Sequence, residues 1–428
     1  MLSFLKSKFS SPMGKDIVWT LSGQILIMFC LLVMNKVMSN TLSIHEFGLY
    51  NIIKRSSSVL SFVMLGGAGI AVPRYLSFYL NQKRIYTSRN TIIATIIYIG
   101  ILILFVSLTC ILLREELAPL IMGKKHDFTS LVVVLLYSIS LTCSSYIFAY
   151  LRGNGNFKLY NIVQMAFQCF MLVPLLFVRS DSAIVYFAIW SAIGISLCLF
   201  WTIRELCRTR YFLFRHVAIG KISSAFKEIV KYSSSRLVGD FFLFSLSAFP
   251  VIYLGKFSSM EFVSYYSVGT ALTTMITPVF SFLGVILLPY VSRCMAENNL
   301  GKADVMIRKI LYVDLGIAIS LVSLFYILMP MIISVFFSGD YIIATSNARV
   351  QVLSVIPSVF YLLYRNPIDA VSVIPYNTII LCICFIMLVV SFHFSDNLQE
   401  YAWAYVSVTV FKGVSSFCVW NIIKRNKK

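Results

Sequence analysis

Residues 91–113 read TIIATIIYIGILILFVSLTCILL, 23 positions without a charge. A helix needs about 20 apolar residues to cross the hydrocarbon core of a bilayer, and there it satisfies its backbone polar groups within itself. The segment is therefore read as a membrane-spanning helix. The same pattern recurs on both sides of it. Spans are expected at Ile17–Met38, Tyr50–Leu76, Thr91–Leu113, Thr129–Tyr150, Tyr160–Val178, Ala183–Ile203, Ile229–Leu254, Tyr265–Val291, Ile310–Phe337, Ile343–Tyr364, Val371–Phe392 and Tyr401–Ile422. Ile17–Met38 is too long, and too closely followed by further spans, to read as a cleaved signal. A transmembrane barrel would show short alternating strands instead.

Composition agrees. Of the 428 residues, 59% are apolar and 12% charged, with a mean hydropathy of +0.85. Soluble domains run at about 45–50% and about 25%. The net charge of +19 is explained by topology. Of the 36 Lys and Arg, 24 fall in the amino end (Lys6, Lys8, Lys15), in alternate loops (Lys83 to Arg89, Arg152 and Lys158, Arg204 to Lys231, Arg293 to Lys309, Arg365) and in the tail KRNKK. The opposite loops hold only Arg114, Lys124, Lys125, Arg179 and Lys256, so both termini are expected in the cytoplasm. No nucleic-acid partner is needed to account for the charge. Eight of the ten cysteines lie inside spans, and Cys207 and Cys294 face the cytoplasm, where disulfides do not persist. The four histidines, His45, His126, His216 and His393, lack metal-ligand spacing, and no cofactor or metal is expected.

The longest polar break, Arg204–Lys231, leaves six spans on each side and suggests two lobes, 1–215 and 216–428. EFGLY at 46–50 is echoed by EFVSY at 261–265, an offset of 215, and Tyr75 and Tyr290 share that offset beside Pro73 and Pro289. Six spans per repeat make the copies parallel, with a pseudo-two-fold axis along the membrane normal. The expected fold is an all-α polytopic membrane protein of about 12 helices in two six-helix lobes.

The stretch HEFGLYNIIKRSSSVLSFVMLGGAGIAVPRYLSFYL at 45–80 carries a family likeness. Its E-F-G-x-Y at the mouth of the second span, the small-residue run Leu65–Gly69 and the pair Arg74–Tyr75 resemble the polysaccharide-biosynthesis (O-antigen flippase, Wzx-type) family of the multidrug/oligosaccharidyl-lipid/polysaccharide (MOP) exporter superfamily, whose two-lobed MATE-like fold the topology matches. The resemblance implies a bacterial inner-membrane transporter, not an enzyme. Its implied cargo is an undecaprenyl-pyrophosphate-linked oligosaccharide, moved by alternating access from the cytoplasmic to the periplasmic leaflet. It further implies a cationic cavity, contact with membrane lipids and, as partners, a polysaccharide polymerase and a chain-length regulator.

The charges at membrane depth supply candidates of their own. Seven basic residues lie within or near spans: Lys36, Lys54, Arg55, Arg74, Arg236, Arg349 and Lys412. Only Asp240 and Asp314 stand against them as intramembrane acids. A charge at the bilayer centre costs about 2.5–3.5 kcal/mol on insertion scales, so a cationic surplus is expected to face water or an anion. Lys412 lies near the middle of its span. Arg349 lies about two turns into its own. Lys36 and Lys54 lie within a few turns of the outer face, where cavity lining and snorkelling are both open. Arg55 is turned about 100° from Lys54. Arg74 is expected to snorkel to headgroup phosphates. Arg236 and Asp240, four residues apart, either form a neutral structural pair or a switch. Asp314 is open as a coupling-ion site or as a helix-end carboxylate. Aromatics at span ends, including Tyr50, Tyr75, Tyr265, Tyr290 and Trp420, are expected to anchor the interface.

Two rivals have different requirements. A MATE-type drug or cation exporter needs buried carboxylates, of which only Asp240 and Asp314 are offered. A membrane polysaccharide polymerase or ligase needs catalytic groups on a sizeable outer loop, and the longest is about Arg114–Phe128.

Overall fold

The computed structural model describes residues 12–123, 127–208, 219–277, 279–280, 291, 294, 300–372 and 374–426, the side chains of 12–21, 206–208, 219–221, 235–236 and 426 excepted. All described regular structure is helical. In chain order the helices are α1 Pro12–Thr41, α2 Ile44–Leu65, α3 Ala68–Asn81, α4 Ile85–Leu112, α5 Arg114–Met122, α6 Phe128–Gly153, α7 Phe157–Leu172, α8 Pro174–Phe177, α9 Ala183–Arg208, α10 Ile219–Phe257, α11 Met260–Ile276, α12 Leu300–Phe336, α13 Thr345–Leu353, α14 Val355–Val371, α15 Tyr376–His393 and α16 Leu398–Asn426. A 3₁₀ turn, Gly339–Ala344, precedes α13.

Among the described residues nine helices are long and apolar enough to cross a membrane, or ten with the bent pair α2–α3 counted as one span. The other two expected spans are not counted there: Tyr265–Val291 is helical to Ile276 in α11 and then lies largely outside the described residues, and Ile343–Tyr364 is divided between α13 and α14. The outer face of α4 (Ile97, Ile101, Leu104, Phe105, Leu108) and that of α12 (Ile319, Leu324, Ile327, Met331, Val335) are exposed and apolar. Such faces, on helices long and apolar enough to cross a bilayer, suit contact with lipid.

The second and tenth expected spans are broken where they were read as continuous, and the fifth is divided at Val173 between α7 and α8. The second bends by 41° between α2 and α3. Gly66 and Gly67 there have φ of 55° and 77°, the left-handed region that glycine enters without steric cost. Helix α2 ends as the Gly66 N–H bonds the Phe62 and Val63 carbonyls, while the Tyr98 hydroxyl donates to the Gly66 carbonyl at 3.0 Å. The tenth span breaks at Ser354, between α13 and α14, and α14 runs on to Val371, seven residues past the expected end.

The described chain forms two compact units, Met1–Phe241 and Phe242–Lys428. The residues around the expected junction, 209–218, lie outside the described set. In the first unit α6 is central, packing on α2, α3, α7 and α9. Its buried Ser138, Ser140, Thr142 and Ser144 are small enough for close helix approach. Ser57 and Thr142 tie α2 to α6 through bonds to the Val134 and Ser61 carbonyls, each 3.2 Å. The first part of α10 belongs to this unit: Ala225 and Ile229 pack with Leu65, Ala68, Val72, Ala94 and Tyr98. In the second unit α14 and α15 pack on α16, α12 packs on α13 and α14, and α11 packs on α13.

Both copies of the echoed motif follow a serine cap, at Ser43 and Ser259, one residue out of the 215 offset. Helix α2 opens with Ser43, whose hydroxyl accepts the Glu46 N–H at 3.2 Å, and α11 opens with Ser259 accepting the Phe262 N–H at 3.2 Å. Each is an N-cap of the ordinary kind. The matching tyrosine–proline pair, Tyr290 and Pro289, lies outside the described residues.

Candidate functional site

The motif glutamate of α2 is a structural fastener. Glu46 Oε2 accepts the N–H of Ala183 at 3.0 Å, satisfying one of the orphan donors at the start of α9. That tie brings α2 and α9 together, so Phe47 and Tyr50 are buried. Tyr50 packs 5.4 Å from Phe187 and 6.1 Å from Trp190, and Tyr137 meets Phe187 at 4.9 Å. The expectation that Tyr50 anchors the interface is thereby corrected: it is fully buried.

Lys54 lies one turn beyond Tyr50 on the same face of α2. Its ammonium is 5.4 Å from the centre of the Tyr50 ring and donates a long bond, 3.5 Å, to the Tyr50 hydroxyl. A desolvated cation–π contact of this kind contributes about 2 kcal/mol or more, of the same order as the insertion cost of a charge. Arg55, the next residue, is also half-buried. Among the described residues no carboxylate lies within ion-pair distance of Lys54.

In the second unit Lys412 takes a comparable place by a different route. Gly413 lets α14 and α16 touch at backbone distance, because a Cβ there would run into the Pro357 carbonyl oxygen and reach the Phe360 Cβ at 3.4 Å. One turn past Pro357, the buried Tyr361 comes under the Lys412 ammonium, 5.0 Å from ring centre to nitrogen. Arg365 and Cys384 are its electrostatic neighbours. Sequence reasoning assigned Arg365 to a cytoplasmic loop, since the tenth span was ended at Tyr364. The structure places it inside α14, half-buried and beside Lys412. Among the described residues no carboxylate lies within ion-pair distance of Lys412.

The cations are not copied by the repeat. At an offset of 215, Lys54 and Arg55 correspond to Gly269 and Thr270. There Gln351 fills the space: a Cβ on Gly269 would lie 2.8 Å from its Cδ. The Gln351 amide donates to the Tyr266 carbonyl at 3.0 Å and accepts from the Thr270 hydroxyl at 3.1 Å.

Arg349, a cavity candidate, reaches a backbone carbonyl of α12. Pro330 in α12 has no N–H, so the carbonyl of Tyr326, four residues earlier, loses its helical donor. Arg349 Nε donates to that carbonyl at 3.0 Å, and its guanidinium lies 5.3 Å from the Tyr326 ring centre. The first unit repeats the device. Pro73 in α3 frees the Gly69 carbonyl, and Arg152 Nη2 donates to it at 3.1 Å.

The other candidates are dispersed. Lys36 is half-buried on α1. Arg236 lies among the residues whose side chains are not described, so its pairing with the half-buried Asp240 falls outside the described set. Asp314 is 1% exposed on the buried stripe of α12, and its Oδ2 has no hydrogen-bond donor among the described residues. Asp304, ten residues earlier on the buried stripe of the same helix, was not singled out by sequence. It binds Arg308 at 3.1 Å, the Trp420 indole N–H at 3.1 Å and the Lys424 ammonium. Trp420 is thus also buried in the bundle, where an interfacial anchor was expected. The described cysteines are free, Cys294 is buried, and no metal-ligating cluster occurs among the described residues.

No family model and no curated protein matches the chain. Solved structures do. An inward-facing multidrug-resistance MATE transporter of the MOP superfamily matches with a TM-score of 0.67 at 11% identity, covering 93% of this chain and 98% of that one. A MOP-superfamily transporter from Pyrococcus furiosus, described as having a binding pocket of reverse polarity that suggests a different function, matches with a TM-score of 0.64 at 14% identity, over 96% and 95%. A mutant of the Vibrio cholerae MATE transporter VcmN matches with 0.63 at 15% identity, over 96% of both chains. Covering nearly the whole of both chains, these likenesses identify the fold: it is the MATE-like fold of MOP-superfamily transporters.

Proposed function

We propose that the protein is a bacterial inner-membrane flippase, with both termini cytoplasmic, for an anionic lipid-linked oligosaccharide of the undecaprenyl-pyrophosphate type. The cargo's pyrophosphate and sugars lose hydration on crossing, and fixed donors must replace it. The observation that carries the reading is the pair of membrane-depth lysines, Lys54 and Lys412. Each is set over a buried tyrosine, next to or near a second cation, and without a carboxylate within ion-pair distance among the described residues. A cation left so is expected to take an anion when one is offered. Arg55 and Arg365 are the second donors of the two patches. Transport proceeds by alternating access, and a polymerase and a chain-length regulator act on the delivered product.

The experiment is complementation of a strain lacking its own lipid-linked oligosaccharide flippase with wild type and with Lys54→Ala, Lys412→Ala and Arg365→Ala. Loss of surface polysaccharide at normal membrane abundance is the expected result. Wild-type polymer from all three variants would remove these residues from the passage.

A MATE-type cation exporter is the second reading, and Asp314 favours it: a buried carboxylate oxygen without a donor suits a proton or a cation. Extrusion of a cationic dye that is lost in Asp314→Asn and retained in Lys54→Ala would choose this reading over the first.

A further inference from the structure

Arg74 was expected to snorkel to headgroup phosphates, and in the structure it packs against two tyrosine rings. It lies seven residues before the end of α3 at Asn81, about 10 Å along the helix axis, at the end the charge distribution assigns to the cytoplasm. Its guanidinium carbon is 4.4 Å from the ring centre of Tyr232, on the first part of α10, and 6.0 Å from that of Tyr75. The rings brace one another. Tyr75 meets Tyr232 edge-on at 5.6 Å and stacks on Tyr79 at 6.2 Å, and the Tyr79 hydroxyl donates to Glu228 Oε2 at 2.9 Å.

A guanidinium stacked on aromatic faces has its plane set while the N–H donors on its edge stay available, and that fork matches the oxygens of a phosphate. The Arg74 side chain is exposed, and among the described residues no carboxylate lies within ion-pair distance of it. Glu228, the acid of the cluster, is engaged by Tyr79. Lys83 and Arg84 at the end of α3 and Lys227 and Lys231 on α10 are exposed and add positive potential. We infer that Arg74, braced by Tyr75 and Tyr232, is a phosphate-recognition site for a lipid headgroup at the cytoplasmic face. It lies on α3, twenty residues along the chain from Lys54 on α2. The phosphate belongs either to the lipid-linked cargo of the proposed function or to an anionic phospholipid.

The test is native mass spectrometry of the purified full-length protein, titrated separately with undecaprenyl pyrophosphate and with phosphatidylglycerol, for wild type, Arg74→Gln, Arg74→Lys and Tyr232→Leu. Losing a charge-assisted bidentate contact is expected to weaken binding about tenfold or more. Arg74→Lys, which keeps the charge without the fork, is expected to fall between Arg74→Gln and wild type. Tyr232→Leu is expected to lose affinity although the arginine is intact. A loss confined to undecaprenyl pyrophosphate assigns the site to the cargo, and a loss for both lipids assigns it to phosphate headgroups generally. Unchanged binding of both lipids by folded Arg74→Gln and Tyr232→Leu would overturn the site. The readout is equilibrium binding, so it can fail while the Lys54 and Lys412 transport test succeeds, and the reverse.

Discussion

Arg349→Ala separates a structural arginine from a cargo-binding one, and the prediction can be worked through a double-mutant cycle with Pro330→Ala. In wild type the Tyr326 carbonyl receives Arg349 Nε at 3.0 Å because Pro330 has no N–H to give. Ile327 and Met331, beside it on α12, are exposed apolar residues, so lipid and not water surrounds this part of the helix. Removing the guanidinium leaves the acceptor without a donor, at a cost of about 1–3 kcal/mol, or about fivefold to 150-fold in the local opening constant. In the Pro330→Ala background, the alanine N–H completes the helical bond to Tyr326. There the same Arg349→Ala change should cost less than about 0.5 kcal/mol, the range of an inconsequential substitution. The coupling between the two sites is then about 1–2 kcal/mol. Amide hydrogen exchange across residues 322–334 in detergent or nanodiscs reads the opening free energy directly, and complementation reads transport on the same four proteins. An Arg349→Ala loss of equal size in both backgrounds would refute the carbonyl argument. A transport defect that Pro330→Ala does not relieve would return Arg349 to the passage. Arg152 and Pro73, acting on the Gly69 carbonyl, should behave in the same way.

Two further changes probe how the patches are built. Gly413→Ala drives a methyl group into the Pro357 backbone and should cost about 1–3 kcal/mol by overpacking, lower the thermal midpoint, and reduce transport by displacing Tyr361 from Lys412. A wild-type midpoint would show that α14 and α16 separate without penalty. Glu46→Gln weakens the acceptor at the start of α9 and should cost about 1 kcal/mol, visible as faster exchange in residues 183–190. Exchange unchanged there would mean that the motif glutamate does not hold α9.

The spans were legible because the period and length of an apolar run are local properties, and the start of α9 at Ala183 was read to the residue. The break at Gly66–Gly67 was less so: the glycines are visible, but small residues in a membrane helix serve packing as often as bending. What makes this pair a bend is the Tyr98 hydroxyl on its carbonyl and the backbone of Ser233 lying where a Cβ of Gly67 would go. Neither partner is near in sequence.

The amino-acid sequence by itself determined that this chain lives in a bilayer, how its helices repeat, and that cations outnumber acids at membrane depth. Only tertiary structure decided what each cation does. Hydropathy and charge are sums over neighbours in the chain, whereas a side chain's role is set by the atom it reaches in another helix. Arg349 and Arg152 reach carbonyls that prolines left open, Arg365 is drawn from an expected loop to the side of Lys412, and Lys54 and Lys412 reach rings that leave their charge unbalanced.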